Sequence, residues 1–169
     1  MALGQKKTPK NAGNELKYAQ ELIEAGGRSY TGISWNQRLE EAFTERFGVR
    51  YAIAHNSGTS CLHTCLLAAG VGPGDEVISP ALTVIMDAFA TLYTGATPVF
   101  ADVDFATRNV SPDAVEAAIT PCTEAIMPVH YGGLPADMDA IMAIAERHGL
   151  RVIEDSAECL GGTCRERMA

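Results

Sequence analysis

The chain is poor in lysine, and unevenly so. Its lysines are Lys6, Lys7, Lys10 and Lys17, and none follows. A site built from later residues that needed an amine for covalent chemistry would lack one. Basic residues are outnumbered overall, 13 Lys and Arg against 21 Asp and Glu, for a formal net charge of −8. That balance excludes the broad basic face of an electrostatic nucleic-acid binder. It leaves room for a small anionic ligand, because backbone amides bind phosphate without net positive charge. No run reaches the ~18 apolar residues needed to span a bilayer. Residues 1–14 are polar and lack the apolar core of a secretion signal, so a cytoplasmic location is expected. There is no CxxC pair, and the five cysteines are odd in number, which fits a reducing compartment. No GxxxxGK[ST] loop and no GxSxG elbow occurs.

What the sequence does contain suits one globular domain. It has 169 residues, 47% hydrophobic and 20% charged, enough for a real core. Residues 1–13 read as an arm. A helix is expected over 15–25, stopped by Gly26-Gly27, and 26–35 read as a loop. A second helix, 36–47, stacks Leu39, Phe43 and Phe47 on one side. From there the pattern alternates. Strands are expected at 51–55, 76–79, 98–101, 125–129 and 151–154. Helices are expected at 59–69, 83–93, 112–119 capped by Ser111, and 138–148 closed by Gly149. Five strands separated by helices imply a parallel sheet covered on both faces, with right-handed crossovers. In such a sheet ligands bind beyond the carboxyl ends of the strands. Segments 56–59, 80–83, 102–104, 130–133 and 155–158 therefore share one edge.

Two segments on that edge carry chemistry. Asn56-Ser57-Gly58-Thr59-Ser60 sits where a strand meets a helix. Gly58 lets the backbone approach an anion closely, and first-turn N–H groups lack intrahelical acceptors. Ser57, Thr59 and Ser60 add hydroxyls. The segment reads as a phosphate cradle or as an ordinary helix cap. Val152-Ile153-Glu154-Asp155 leaves Asp155 at a strand tip. That carboxylate either caps the next turn or pairs with a protonated pyridine nitrogen, as a pyridoxal electron sink requires. Glu158 is placed to face the same pocket, and Glu154 the opposite side of the strand. The other polar residues read as structural. His130 is a lone histidine at a strand end, Asp102 and Asp104 suit turn capping, and Asp137 and Asp139 suit a helix N-terminus. Gly70-x-Gly72-x-Gly74 precedes a strand and reads as a turn, not a dinucleotide fingerprint. Cys61 and Cys65 lie i,i+4 on an apolar helix face with His63 pointing away, so buried free thiols are expected rather than a metal site.

Taken in order, these segments resemble the N-terminal part of the DegT/DnrJ/EryC1/StrS family of pyridoxal-phosphate (PLP)-dependent aminotransferases, from about Trp35 to Gly162. The resemblance rests on Leu39-Glu40-Glu41-Ala42-Phe43, Asn56-Ser57-Gly58-Thr59-Ser60, Gly72-Pro73-Gly74-Asp75-Glu76-Val77-Ile78 and Ala81-Leu82-Thr83. It continues through Gly95-Ala96-Thr97-Pro98-Val99-Phe100, Pro128-Val129-His130, Asp137-Met138-Asp139 and Val152-Ile153-Glu154-Asp155-Ser156-Ala157-Glu158. It implies a three-layer parallel-sheet large domain of the fold-type I class, with 1–34 as an arm, helix and loop and 35–169 as part of the PLP-binding domain. Ser57, Gly58 and Thr59 would meet the cofactor phosphate and Asp155 the pyridine nitrogen. Glu158 would lie near the ring hydroxyl. Val84, where the family often has an aromatic, would give only apolar contact with the ring. The Schiff-base lysine, the small domain and the later strand that pairs with 51–55 have no counterpart in this chain.

The resemblance implies transfer of an amino group from an amino acid, expected to be glutamate, to a nucleotide-linked keto-sugar. It also implies a homodimer for the full-length protein and no membrane or nucleic-acid partner. This chain alone is expected to be inactive. Three other readings stay open: one half of a split enzyme, a fragment of a PLP-dependent sugar dehydratase with histidine in place of the lysine, and a non-catalytic Rossmann-like binding module.

Overall fold

The computed structural model describes residues 13–26, 34–164 and 167–168. The expected arm and much of the expected loop, at 1–12 and 27–33, lie outside the described residues. The chain divides into two compact units, Met1–Ala54 and His55–Ala169.

The first unit holds α1 (Glu15–Glu24) and α2 (Trp35–Phe47). Ser34 Oγ caps α2 by accepting from Gln37 N at 3.0 Å, and Gly48 ends it in the left-handed conformation. Arg38 lies 4.2 Å over the Trp35 ring and reaches Glu21 at 3.3 Å. Phe43 and Phe47 stack at 4.2 Å as their spacing predicts, but Leu39 is exposed. The strand expected at 51–55 does not form. Tyr51 and Ile53 are exposed, and Ala54 N donates to Glu40 Oε1 at 2.8 Å instead of to a neighbouring strand. Alternation alone makes no strand, because a ladder needs a partner, and no described strand pairs with this segment.

The second unit is a parallel α/β sheet. Its elements are α3 (Gly58–Ala68), β1 (Glu76–Pro80), α4 (Met86–Thr94), β2 (Thr97–Ala101) and α5 (Pro112–Ala118), then β3 (Thr123–Ile126), α6 (Met138–His148) and β4 (Arg151–Val152). The four strands lie in the order β2-β1-β3-β4, all parallel. A small antiparallel pair, β5 (Thr163–Cys164) and β6 (Arg167–Met168), follows and was not foreseen. β3 and β4 are shorter than expected. Beyond them the backbones stay in register through Met127 N to Ile78 O at 2.7 Å and through a lone bridge between Val129 and Asp155.

The strand order fixes the layers. The chain moves from β1 outward to β2, then back across β1 to β3 and on to β4. Right-handed crossovers put helices on opposite faces for opposite directions of travel. Accordingly α4 packs with α3 on one face, and α5 packs with α6 on the other. Adjacent strand residues alternate between two cores. Val77, Ala125 and Ile153 join Leu62, Leu66 and Ala90 on the α3–α4 side. Ile78 and Ile126 join Val115, Ile141 and Ile144 on the α5–α6 side.

Helix ends depart from expectation in two places. α4 starts three residues late, at Met86, and the Thr83 hydroxyl ahead of it bonds the Asp87 side chain. It stops at Gly95, whose φ of 86° is left-handed and where an added Cβ would sit 2.9 Å from Pro73 Cγ. Ser111 occupies the N-cap position of α5, but its side chain makes no capping bond, and Pro112 at the first turn supplies the start instead. In α6, Asp137 accepts from Ala140 N at 3.3 Å and Gly149 closes the helix.

Candidate active site

The carboxyl edge of the sheet collects the chemistry. α3 leads through the Gly70–Gly74 turn into the amino end of β1, so its own N-terminus lies about 16 Å back along the helix, at the opposite, carboxyl edge. Ser57 is extended, and its Oγ accepts from Ser60 N at 3.2 Å. Ser60 Oγ bonds Asn56 Oδ1 at 2.9 Å and Ser57 O at 2.8 Å, which ties the segment into one rigid turn. The Ser57 cap and carbonyl take the amides of Ser60 and Cys61. Those of Gly58 and Thr59 remain as first-turn donors without intrahelical acceptors. Apart from its chain neighbours and its own helix backbone, nothing lies within 4 Å of a Cβ built on Gly58, so the space beside this residue is open.

Asp155 follows β4 on the α3–α4 side of the sheet. It is only 8% exposed. Its amide donates to Pro128 O at 2.9 Å, its carbonyl accepts from His130 N at 3.2 Å, and its Oδ1 accepts from Ala157 N at 2.9 Å. The turn-capping role expected of it is therefore real. Its carboxyl lies near enough to that of Asp87, on the first turn of α4, to act on it. Asp87 is fully buried. One of its oxygens takes the Thr83 hydroxyl, and no donor reaches the other, Oδ1. Burial pushes the Asp87 carboxyl up to about 6, the Thr83 hydroxyl acts against that rise, and the charge of Asp155 adds to it. Ser79, at the end of β1 and on the same face by alternation, is a second buried side chain whose oxygen has no partner. A buried polar atom left unpaired costs roughly 1–3 kcal/mol, so such atoms mark places where a proton or ligand is expected.

The remaining candidates are placed as follows. Val84 is 57% exposed in the turn before α4, where its carbonyl accepts from Asp87 N. Glu158 is exposed, and its Oε2 accepts from Gly132 N at 2.6 Å in the short 3-10 turn Tyr131–Gly133. Glu154 points to the opposite face, as expected, where His130 Nε2 meets it at 3.1 Å. His130 is fully buried, and its Nδ1 accepts from Ala136 N at 3.1 Å. Both ring nitrogens are thus used structurally. Asp102 Oδ1 caps its own turn at Val103 N, and Asp104 Oδ1 takes Ala106 N, Thr107 N and the Thr107 hydroxyl. Those bonds, led by the Thr107 amide, hold the Asp104 carboxyl below its usual range. The thiol expectation needs correction: Cys61 is half-buried and Cys65 is exposed, because the buried stripe of α3 runs one residue over, through Leu62 and Leu66. The partial desolvation that remains at this exposed residue, then the neighbouring Cys61 thiol, pushes Cys65 up. No cluster of three metal-ligating side chains occurs among the described residues.

Asp87 was missed from sequence. Its signal is an acid inside the apolar run Ile85-Met86-Asp87-Ala88-Phe89-Ala90, four residues after Thr83. A cleft of about 1410 Å³ lies elsewhere, on the α5–α6 face among Asp104, Asn109, Met142 and Glu154. Two of its polar groups are already partnered: Asn109 bonds Leu134 O, Pro135 O and Tyr131 N, and Glu154 holds His130. Volume there is not matched by free chemistry, and the edge with unpaired oxygens is the better candidate.

A parallel sheet between helical layers, with an open helix N-terminus and a buried carboxylate on one edge, is the architecture of a cofactor-binding α/β enzyme domain. The chain belongs to the DegT/DnrJ/EryC1/StrS aminotransferase family, whose model matches residues 9–169. It is 48% identical over 157 residues to the GDP-perosamine synthase of Caulobacter vibrioides, covering 93% of this chain and 42% of that protein. An aminotransferase structure from Psychrobacter cryohalolentis superposes with a TM-score of 0.88 at 38% identity, over 97% of this chain and 42% of the other. The structure of NtdA from Bacillus subtilis with bound cofactor PMP gives 0.80 at 37% identity, over 88% of this chain and 34% of the other. The chain thus spans less than half the length of these relatives. Aminotransferases of this family bind PLP or PMP. No helix among the described residues is long and apolar enough to cross a membrane.

Proposed function

We propose that this chain supplies the phosphate-binding and ring-nitrogen-binding part of a PLP-dependent aminotransferase acting on a nucleotide-linked keto-sugar. The observation that carries the reading is Asp155, a carboxylate only 8% exposed at the carboxyl edge of the sheet, in a chain of this family. The residues present fit the cofactor. Gly58 and Thr59 offer amides to a phosphate across an open approach, and Ser57 and Thr59 add hydroxyls. Asp155 offers a buried anionic acceptor to a protonated ring nitrogen. PLP, when bound, supplies an electron-poor ring that stabilises negative charge at the carbon bearing the amino group. Asp155 would keep that ring protonated, Val84 would give it an apolar contact, and Glu158 would serve the ring hydroxyl.

The name of the 48% identical GDP-perosamine synthase supports a GDP-linked sugar as acceptor, and glutamate is the amino donor this reading assigns. With no lysine after Lys17, the 169-residue chain binds PLP reversibly and does not turn over by itself. The full protein works as a cytoplasmic homodimer, independent of membrane and nucleic acid. The test is titration of the purified chain with PLP and with unphosphorylated pyridoxal, followed by absorbance. PLP should bind well above pyridoxal, and Asp155→Asn should weaken it. Equal binding of the two, or no change in Asp155→Asn, overturns the reading. Transamination of a GDP-linked keto-sugar by the chain alone overturns the claim of inactivity.

A further inference from the structure

Asp87 is an anomaly in an otherwise apolar stretch. It is fully buried, and its Oδ1 has no N–H or O–H donor. What faces it is another carboxyl, that of Asp155. Two carboxylates cannot approach in a buried site without repulsion unless a proton lies between them. The remaining contacts already orient both groups. Thr83 holds the far oxygen of Asp87, and Ala157 N holds Oδ1 of Asp155 at 2.9 Å.

We propose that Asp87 and Asp155 hold one proton between them, carried on Asp87, and that Asp87 is the positioning residue for the Asp155 carboxylate. The role of Asp155 toward PLP rests on the functional reading above, whereas the shared proton rests on the burial of both carboxyls and the unpartnered Asp87 Oδ1. Other charged groups leave the pair alone. From α3, His63 lies edge-on to the Tyr93 ring at 5.8 Å. From β1, Glu76 sits at the amino end and takes the Thr120 hydroxyl. β2 brings no titratable side chain. After β3, the His130 ring is engaged by Glu154 and Ala136 on the opposite face. Asp155 is the charged group that acts on the Asp87 carboxyl.

The arrangement has a consequence for ligand uptake. A cationic ring nitrogen arriving at Asp155 favours the doubly ionised pair, so it expels the shared proton to water. Affinity should therefore rise with pH across the titration of Asp87, which burial places near its raised value of about 6.

The experiment uses the whole chain labelled with ¹³C at the aspartate carboxyl carbons, with Asp87→Asn and Asp155→Asn to assign the signals. In the cofactor-free wild type, the Asp87 carbon should titrate near pH 6, and the Asp155 carbon signal should shift with that same step. Asp155→Asn should remove the shared inflection. Independent titration of the two carbons in the ordinary carboxylate range overturns the proposal, as does an Asp87 curve unchanged by Asp155→Asn. PLP affinity is then measured from about pH 5 to 7. The ratio of wild-type to Asp87→Asn affinity should rise about tenfold across that range. A flat ratio overturns the positioning role. A chain that shows the shared inflection but binds no PLP at any pH supports the proton pair and fails the cofactor reading instead. Should Asp87→Asn not fold, the wild-type and Asp155→Asn titrations still decide.

Discussion

Glu154 and Asp155 are neighbours in sequence and opposites in circumstance. Glu154 faces the α5–α6 side, exposed, and holds the fully buried His130. Asp155 faces the α3–α4 side, buried, beside a second acid whose Oδ1 has no donor. On the first side each ring nitrogen of the histidine has a partner. On the second, two buried oxygens have none. The contrast separates two uses of polar residues at a strand end. A completed network buys rigidity and excludes ligands. An incomplete one keeps acceptors ready for a proton or a guest. A cleft of about 1410 Å³ lies on the completed side, so space alone would have pointed to the wrong face.

The comparison breaks most visibly at His130. His130→Ala opens a void at a fully buried position and orphans the Ala136 amide. It should cost about 3–4 kcal/mol in urea unfolding, while PLP affinity of the folded fraction stays within about twofold. A large loss of affinity with little loss of stability would place His130 in the site and erase the distinction between faces.

A sharper cut uses the adjacent acids. Asp155→Asn should weaken PLP roughly 10- to 100-fold, the worth of a hydrogen bond to a charged group. Glu154→Gln, one residue away, keeps the bond to His130 and should leave PLP affinity unchanged. Isothermal titration of both variants checks the pair together. Equal effects would mean that the strand end is felt as a whole rather than by its faces.

Acid–base behaviour separates the faces next. Asp87 is raised to about 6 from an ordinary carboxylate value. The protonated form is favoured by folding, so its stabilisation is fully present below the unfolded pKa near 4 and is lost as pH rises through the folded value. Stability of the wild type relative to Asp87→Asn should therefore fall by about 2 kcal/mol from about pH 4 to pH 7. Asp104 and Glu116 run the other way. The Thr107 amide lowers the first and the His148 hydrogen bond lowers the second. Their contributions are present above the ordinary carboxylate range and vanish only in stronger acid, outside the window of Asp87. Denaturant midpoints read across pH for both chains test this, and a parallel pair of curves would remove Asp87 as the titrating group.

The same division explains what could be read from sequence. Positions set by local rules were legible: Ser57 before a helix, Asp155 at a strand tip, Asp104 in its turn, Gly149 after a helix. The two-faced parallel sheet followed from alternation of strand and helix patterns. What failed depended on partners distant in the chain. The 51–55 segment alternates well but has no described strand to pair with. Asp87 drew no reading from the sequence, because its meaning comes from Asp155, distant in the chain, acting on its carboxyl. Cys65 missed burial because the α3 stripe is set by where β1 and β3 lie, not by apolar content alone.

The smallest effect compares two serines that sequence made equivalent. Ser57 and Ser111 each precede a helix, one on each face of the sheet. Ser57 Oγ accepts from Ser60 N and anchors the turn that carries Gly58 and Thr59. Ser111 makes no such bond, and Pro112 already sets the first turn of its helix. Ser57→Ala should cost about 1 kcal/mol and Ser111→Ala less than about 0.3 kcal/mol in urea unfolding. The same Ser57→Ala variant should also lose PLP affinity a few-fold more than it loses affinity for unphosphorylated pyridoxal. A loosened cap misaligns the amides that meet the phosphate, and only the phosphorylated ligand feels that change. If both ligands weaken equally, Ser57 is a cap and nothing more, and the phosphate must be met elsewhere on the edge.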